Sequence, residues 1–331
     1  MPLSHPSTPA FLLSRRNAVR AAIGMAGAFG AVSLPGQSSG TAAQATPAAS
    51  RLVVAASMPL LADIVANIAG DRAEVFSIMP DTADPHTWEA APQDMVRVTE
   101  ADTFISIGHH LEPFVEAGGW RRAVKDAGIP ELDVADHLDL IEIDRVIDHG
   151  DHVHDLREGD PHFWLDPLKV VEAIPAIRDH LIGLDPEGEP AYTEQAAAYA
   201  REVEVLHEEL ATAFAAIPDD RRVLVVFHDA FTYFAVRYDF EIVGVVMPNA
   251  EEGEVSAREM ADLIETIEKY DITIVFAEPQ FNTDVLSTIQ AEQGVAIGEL
   301  LTDSFAGRVD SYLELMRFDR ESIVNALLPV Q

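Results

Sequence analysis

The chain has 331 residues, enough for two domains, and 48% of them are hydrophobic, which argues against a disordered protein. Asp and Glu number 56 against 22 Lys and Arg, giving a formal net charge of −34; this field repels nucleic acid and anionic lipid. Cysteine is absent, which excludes disulfides, thiolate metal sites and thiol nucleophiles. We therefore expect no nucleic-acid partner and no lipid anchor, and any transition-metal site must use His, Asp and Glu.

Residues 1–50 have the composition of an export leader, because none of the acidic residues lies there. Arg15 and Arg16 form a twin arginine, residues 21–34 are a short apolar run, and Ala43-Gln44-Ala45 matches a signal-cleavage pattern. The pattern predicts a twin-arginine export signal and linker over 1–50, cleaved near its end. The mature protein would be a soluble periplasmic or extracytoplasmic monomer. An uncleaved N-terminal anchor is the alternative, although the run is too short to span a bilayer comfortably.

Strand-like apolar runs alternate with amphipathic helical patterns from residue 52 onward. The predicted strands are 52–57, 73–79 and 103–108, and helices are predicted at 59–69, 92–100 and 166–182. This alternation is typical of βαβ units and predicts a mostly parallel sheet.

One long helix is predicted over 190–216, which has no internal Gly or Pro and repeats apolar residues at helical spacing; it would run about 40 Å. Strands are then predicted at 223–227, 241–247, 273–277 and 295–300, with helices at 230–238, 256–270, 283–292 and 308–328. The predicted fold is therefore α/β, with two similar lobes of mostly parallel sheet joined by one long linker helix. The predicted boundaries are 51–188 for the N-terminal metal-binding lobe, 189–217 for the linker helix and 218–331 for the C-terminal metal-binding lobe.

A short motif occurs twice, as Asp84-Pro85-His86 and as Asp160-Pro161-His162. Proline fixes its own φ and biases the preceding residue toward extended geometry, so each copy predicts a rigid loop that presents an imidazole. The two aspartates either orient the imidazoles as hydrogen-bond acceptors or cap their loops.

Two further candidate ligands follow apolar strands in the second half, where ligands of open α/β sheets collect. His228 ends the run 223–227, and Asp303 follows the run 295–300. The spacing from His86 to His162 is 76 residues and that from His228 to Asp303 is 75, as expected for two related lobes that share one centre. Taken singly, each histidine fits an ordinary surface or hydrogen-bonded residue. Their joint placement predicts one metal site.

These residues, with their neighbours, resemble the zinc/manganese solute-binding proteins of metal ABC importers. The motifs that carry the resemblance, which spans nearly all of 52–328, are Asp84-Pro85-His86, Asp160-Pro161-His162-Phe163-Trp164-Leu165-Asp166-Pro167, Phe227-His228-Asp229-Ala230-Phe231-Thr232-Tyr233-Phe234, Phe276-Ala277-Glu278-Pro279-Gln280-Phe281 and Thr302-Asp303-Ser304. The resemblance implies two lobes bridged by a rigid helix, metal held between them, and handover to a membrane permease driven by a cytoplasmic ATPase. By position, the family's four ligands are matched by His86, His162, His228 and Asp303.

The choice of metal depends mainly on His228. Members that resemble manganese carriers tend to have glutamate at this position, whereas this chain offers three imidazoles and one carboxylate. Zinc suits imidazole and manganese prefers oxygen, so we predict Zn²⁺ as the cargo, with Mn²⁺ as the alternative. Glu278 either contacts a ligand or merely ends its strand.

A loop with three histidines, His149, His152 and His154, precedes His162. It is interpreted either as an auxiliary metal-capturing loop or as a solvated acidic loop.

The predicted function is high-affinity binding of the metal outside the cytoplasm and delivery to an ABC permease, without catalysis. Because imidazoles must be neutral to bind metal, we expect weaker binding below about pH 6. A mononuclear zinc hydrolase with Glu278 as general base is the alternative from another class. The chain has no His-Glu-x-x-His pattern, and four protein ligands would close the site.

Overall fold

The first half of the fold is built on a four-stranded parallel sheet. The computed structural model describes residues 51–116, 119–143, 146–148, 153–155, 159–248 and 255–328, with the backbone alone for 146–148 and 153–155. The strands are β1 (Leu52–Ala56), β2 (Ala73–Ser77), β3 (Thr103–Ser106) and β4 (Glu131–Asp133). Their spatial order is β2-β1-β3-β4, and every pairing is parallel. The accompanying helices are α1 (Pro59–Ala69), α2 (Pro92–Glu100), α3 (Pro113–Glu116) and α4 (Trp120–Ala127).

A small antiparallel hairpin and two long helices follow. The hairpin pairs β5 (Val146–Asp148) with β6 (Val153–Asp155), and the helices are α5 (Pro167–Leu184) and α6 (Glu189–Ala215). The 27 residues of α6 correspond to about 40 Å. Its buried side chains recur every three or four positions, as expected for one helix face; they are Tyr192, Ala196, Tyr199, Val203, Leu206, Leu210 and Phe214.

The second half contains two pairs of parallel strands. They are β7 (Val223–His228) with β8 (Glu241–Met247), and β9 (Ile274–Ala277) with β10 (Ala296–Glu299). β7 lies beside β9. The helices are α7 (Thr232–Tyr238), α8 (Ala257–Lys269), α9 (Asp284–Gln293) and α10 (Tyr312–Leu327). The predicted fold class is confirmed: two regions of parallel sheet and one long helix.

The long helix is the element on which the two halves pack. α1 and α5 from the first half contact α6, and so do α7 and α10 from the second. One hydrophobic cluster includes the buried face of α6 together with side chains from β1, β3, β7 and α10. Each half adds a smaller cluster of its own, and residues Ser50–Gln331 form one compact unit.

Several element boundaries differ from the predicted ones for local reasons. The helix predicted over 308–328 begins at Tyr312, because the Ser311 hydroxyl accepts a hydrogen bond from the Glu314 N–H at 3.3 Å and so caps the first turn. No prediction was made for α3, α4, β4 or the hairpin strands, which are only three to eight residues long and so give little sequence over which a period can be recognised. Among the described residues, no helix combines the length and the apolar character needed to cross a bilayer.

Candidate metal centre

The first Asp-Pro-His loop is closed by its own aspartate. Asp84 Oδ1 accepts a hydrogen bond from the His86 N–H at 3.1 Å, and Asp84 Oδ2 accepts one from the Thr87 hydroxyl at 2.6 Å. The Trp88 N–H donates to the Asp84 carbonyl at 3.0 Å. These bonds cap a tight turn that carries His86 into the interior, where the residue is 7% exposed. Of the two roles considered for Asp84, the observed bonds are those of a loop cap.

The second Asp-Pro-His loop uses its aspartate differently. Asp160 Oδ1 accepts from the His162 N–H at 3.0 Å and also lies 2.8 Å from ring atom Nδ1. A carboxylate at this position favours the tautomer with hydrogen on Nδ1, which leaves the Nε2 lone pair for a metal. Asp160 therefore both shapes the loop and orients the imidazole.

The loop that carries His162 is also bound by side chains from the second half. The Tyr233 hydroxyl donates to the Asp160 carbonyl at 2.8 Å. Arg237 donates to both oxygens of Asp166, at 2.8 and 2.6 Å, and Asp166 is the cap of α5. One buried bond and two charge-assisted bonds therefore hold the loop of His162 against α7 of the second half.

His228 ends β7, and Glu278 follows directly after the neighbouring β9. Glu278 accepts from the His228 N–H at 3.1 Å, and its two oxygens lie 2.9 and 2.8 Å from His228 Nδ1. Gln280 Nε2 donates to the same carboxylate at 3.1 Å, as does the Thr302 hydroxyl. Glu278 is 0% exposed, so a fully buried carboxylate holds His228 with Nε2 directed away from it.

Asp303 follows β10 and completes the group. His86, His162, His228 and Asp303 are all buried, and each offers one ligand atom within 4.8 Å of the others. The Nε2 atoms of His86 and His162 lie 3.4 Å apart. Asp303 Oδ2 lies 3.4 Å from His228 Nε2 and 3.9 Å from His86 Nε2. The structure thus brings together the four residues that the sequence singled out as candidate ligands.

Several of these facing atoms have no hydrogen-bond partner. Within the part of the chain that the structure describes, His228 Nε2 and both carboxylate oxygens of Asp303 are buried without one. Unpaired buried polar atoms are costly and are rare in folded proteins. Three of them around one point fit a centre whose missing partner is a cation.

The charges around the centre shift the pKa values of two of its groups. Burial raises the pKa of Asp303 to about 6. For His228, burial lowers the pKa, but the negative charges of Glu278 and Asp303 outweigh this effect and raise it to about 10. Without metal, the His228 ring is therefore protonated on both nitrogens at neutral pH. A metal ion that binds Nε2 must displace the proton there.

Comparison with known proteins identifies the family. Residues 54–326 match the family described as ZnuA, zinc-uptake complex component A, periplasmic. The chain belongs to this family. Its members are substrate-binding proteins of metal ABC importers. The names of the relatives described below agree with this.

Curated relatives carry names for different metals. The chain is 29% identical over 283 residues to the manganese-binding lipoprotein MntA of Halalkalibacterium halodurans, covering 83% of this chain and 88% of the relative. It is 28% identical over 291 residues to the iron ABC transporter substrate-binding lipoprotein MtsA of Streptococcus pyogenes serotype M1, covering 85% and 91%. Membership of the zinc-uptake family therefore gives the class of cargo, a transition metal, and leaves the element open.

Solved structures agree on the fold. A crystal structure of ZnuA is 28% identical and superposes with a TM-score of 0.72, covering 84% of this chain and all of that one. The periplasmic zinc-binding protein TroA of Treponema pallidum superposes with a TM-score of 0.71 at 24% identity, covering 85% of this chain and 100% of its own. These likenesses confirm the α/β fold with its long helix.

Some of the predicted features lie outside the residues that the structure describes, and others find no support in the known relatives. The leader 1–50, with its twin-arginine signal, lies outside them, as do His149 and His152; His154 is described only by its backbone in β6. The relatives named above are lipoproteins, so a twin-arginine route and the absence of an anchor find no support in them. The hydrolase alternative finds no support in the zinc-uptake family either.

Sequence reasoning missed the residues that position the ligands from a distance. Tyr233 and Arg237 lie in and just after a motif that was singled out for His228, yet they bind the loop of His162. Gln280 and Thr302 also lie in recognised motifs, where they donate to Glu278. Their polarity next to apolar strand ends was a signal, but the partner of each became visible only in the fold.

Proposed function

We propose that this protein carries zinc outside the cytoplasm: it binds one Zn²⁺ between His86, His162, His228 and Asp303 and delivers it to the permease of an ABC importer. The observation that supports this most directly is the convergence of four buried ligand atoms, one from each residue. Among the described residues, His228 Nε2 and the two carboxylate oxygens of Asp303 have no hydrogen-bond partner. The protein binds and releases its cargo without converting it.

The spacing of the ligand atoms supports a tetrahedral ion. Zinc bonds of about 2.0–2.1 Å in a tetrahedron place ligand atoms about 3.3–3.4 Å apart. Two separations in the structure, both 3.4 Å, match this value and a third is 3.9 Å. All four ligand atoms lie within 4.8 Å of one another, so the longer separations would shorten around a bound ion. With all four positions supplied by the protein, no coordination site is left for a reacting water.

The donor set favours zinc over manganese. Three imidazole nitrogens and one carboxylate suit a borderline-soft ion, whereas manganese prefers oxygen ligands. His228 matters most, because its Nδ1 is already bound to Glu278 and its Nε2 is therefore set up as a nitrogen donor. The manganese-named relative keeps Mn²⁺ as the second candidate.

Delivery needs a membrane permease, which is the partner with which substrate-binding proteins of metal ABC importers work. We propose that residues 51–188 and 218–331 act as the two lobes that meet this permease, joined by the helix of 189–217. The short His149, His152 and His154 segment would capture metal weakly and pass it inward. Glu278 and Asp160 would orient imidazoles, and Asp84 would hold its loop.

Export in the folded state is the proposed route to the periplasm, with a soluble monomer as the product. The twin arginine motivates this proposal. Replacing Arg15 and Arg16 by Lys should abolish export, measured as protein in the periplasmic fraction. Unchanged export of that variant would exclude the twin-arginine route. The proposal of a metal-binding function would still stand.

Competition between metals tests the proposed cargo. Chelator-stripped protein should bind one zinc per chain in isothermal titration, with manganese binding at least tenfold weaker. His228→Glu supplies a second carboxylate and should shift the preference toward manganese. Arg122, which lies on the exposed surface of α4, offers a control position, since Arg122→Glu also adds acidic charge. No saturable zinc binding by the unaltered protein would overturn the proposal.

A further inference from the structure

The turn that follows Asp303 is hydrogen-bonded to the segment that precedes His86. The Ser304 hydroxyl donates to the Asp81 carbonyl, and the Ala306 N–H donates to the same oxygen at 3.3 Å. The Gly307 N–H donates to Asp81 Oδ2 at 3.1 Å. Three donors from one short turn of the second half therefore converge on a single residue of the first half.

The position of these bonds along the chain gives them a consequence for the centre. Asp81 lies five residues before His86, and Ser304 is the residue directly after Asp303. The bonds thus connect the loops of two candidate ligands that come from opposite halves. A change in the distance between these loops changes the distance between His86 Nε2 and Asp303 Oδ2, which is 3.9 Å.

The turn is shaped to offer its N–H groups in one direction. Ala306 and Gly307 both have positive φ, of 52° and 64°, a left-handed conformation that costs energy for a residue with a side chain. Ser304 stabilises it, because its Oγ also accepts from the Ala306 N–H at 3.0 Å. Ser304 is 0% exposed, so its bond to Asp81 is shielded from water, whereas the Gly307 end of the turn is exposed.

The other ligand loop from the first half is held more firmly. The His162 loop is bound by a buried tyrosine, by a bidentate arginine and by the bond from Trp164 Nε1 to the Thr302 carbonyl at 3.0 Å. The Asp81 side chain accepts one bond, from the Gly307 N–H, and the Asp81 carbonyl accepts two. The Gly307 bond lies at the exposed end of the turn. Of the two connections, the one through Asp81 is the easier to break.

We propose that Asp81 is a positioning residue that sets how long the metal stays bound, because it holds the His86 loop against the turn after Asp303. This inference rests on the proposed metal-carrying function. Asp81 does not contact the ion; it acts through the separation of the two ligand loops. Loss of its carboxylate should speed the release of metal and leave capture unchanged.

The test compares Asp81→Ala and Asp81→Asn with the unaltered full-length protein. Zinc release is measured by stopped flow into excess chelator, and association by mixing with zinc and an indicator. We expect Asp81→Ala to release zinc about tenfold faster with an unchanged association rate. Asp81→Asn should restore slow release, because its amide oxygen can accept from the Gly307 N–H.

Two controls separate positioning from a general loss of structure. Asp126→Ala removes an exposed carboxylate that pairs with Arg122 on its own helix, and its release rate should equal that of the unaltered protein. The cobalt-substituted absorption spectrum of Asp81→Ala should match that of the parent, because the four ligands are intact.

A second variant keeps the proposal testable if Asp81→Ala does not fold. Ser304→Ala removes the buried donor to the Asp81 carbonyl and should also accelerate release. Release from Asp81→Ala and Ser304→Ala within twofold of the Asp126→Ala rate would overturn the inference, while zinc binding by the parent would stand. Absence of zinc binding by the parent would instead remove the proposed function itself.

Discussion

Proton release on zinc binding is the most specific chemical consequence of the centre. His228 has a pKa of about 10 without metal. At pH 7, three units below this pKa, the ring is protonated on both nitrogens, and a zinc ion must displace the proton on Nε2. This competition costs about 4 kcal/mol of binding free energy. The apparent affinity should therefore fall about tenfold for each unit of pH between 8 and 6.

The sign follows from the two states of His228. In the metal-free centre the imidazole is protonated below a pH of about 10, and in the loaded centre Nε2 holds the metal instead. Binding is therefore weakened by every added proton. Below about pH 6 the Asp303 carboxylate, whose pKa is about 6, adds a second proton and steepens the loss. The ordinary pKa of imidazole alone predicts that weakening starts only near pH 6, so the buried charges move its onset upward.

Isothermal titration in buffers of different ionisation enthalpy measures the protons released per zinc. We expect about one proton at pH 8 and a number approaching two at pH 5.5. Glu278→Gln is the matched variant, because it removes the largest charge that raises the pKa of His228. Its proton release at pH 8 should fall toward zero. Zero release by the unaltered protein at pH 8, with affinity constant from pH 8 to 6.5, would refute this account of the centre.

Three further predictions concern positioning, linkage and the core. Asp160→Asn should weaken zinc binding about 10- to 100-fold, because Asp160 orients the His162 ring. Asp84→Asn should weaken zinc binding less. Equal losses of zinc affinity for the two variants in chelator competition would contradict the different roles of the two aspartates. Zinc at 100 times its Kd should stabilise the fold by about 2.7 kcal/mol and raise Tm by about 5–10 °C in calorimetry; an unchanged Tm would speak against binding to the folded state. Leu210→Ala in the buried face of α6 should destabilise the protein by about 2–5 kcal/mol in urea, whereas Val205→Ala, 56% exposed on the same helix, should change stability by no more than about 0.5 kcal/mol.

The sequence predicted the fold class and the four candidate ligands because their signals are local or repeated. Apolar runs marked the strands, an uninterrupted helical pattern marked α6, and the strand ends marked His228 and Asp303. The near-equal spacings within each half indicated that the four side chains share one centre, and the fold brings them together.

The two Asp-Pro-His loops show why the rest needed a structure. Their sequences are identical over three residues, yet Asp84 bonds to its own loop, whereas Asp160 also bonds to a ring nitrogen. The difference depends on ring orientation and on partners such as Tyr233, which lies 73 residues away. Long-range hydrogen bonds leave no periodic trace in a sequence, and Asp81 and its turn were missed for the same reason.

Zinc K-edge X-ray absorption of the loaded protein tests the central claim most directly. Four protein ligands around one ion predict a four-coordinate spectrum with nitrogen and oxygen at about 2.0–2.1 Å and the multiple-scattering signature of three imidazoles. His228→Ala should lose one imidazole from this signature. A spectrum with fewer than three imidazoles in the unaltered protein, or one that His228→Ala leaves unchanged, would contradict the assignment of these residues as the metal centre.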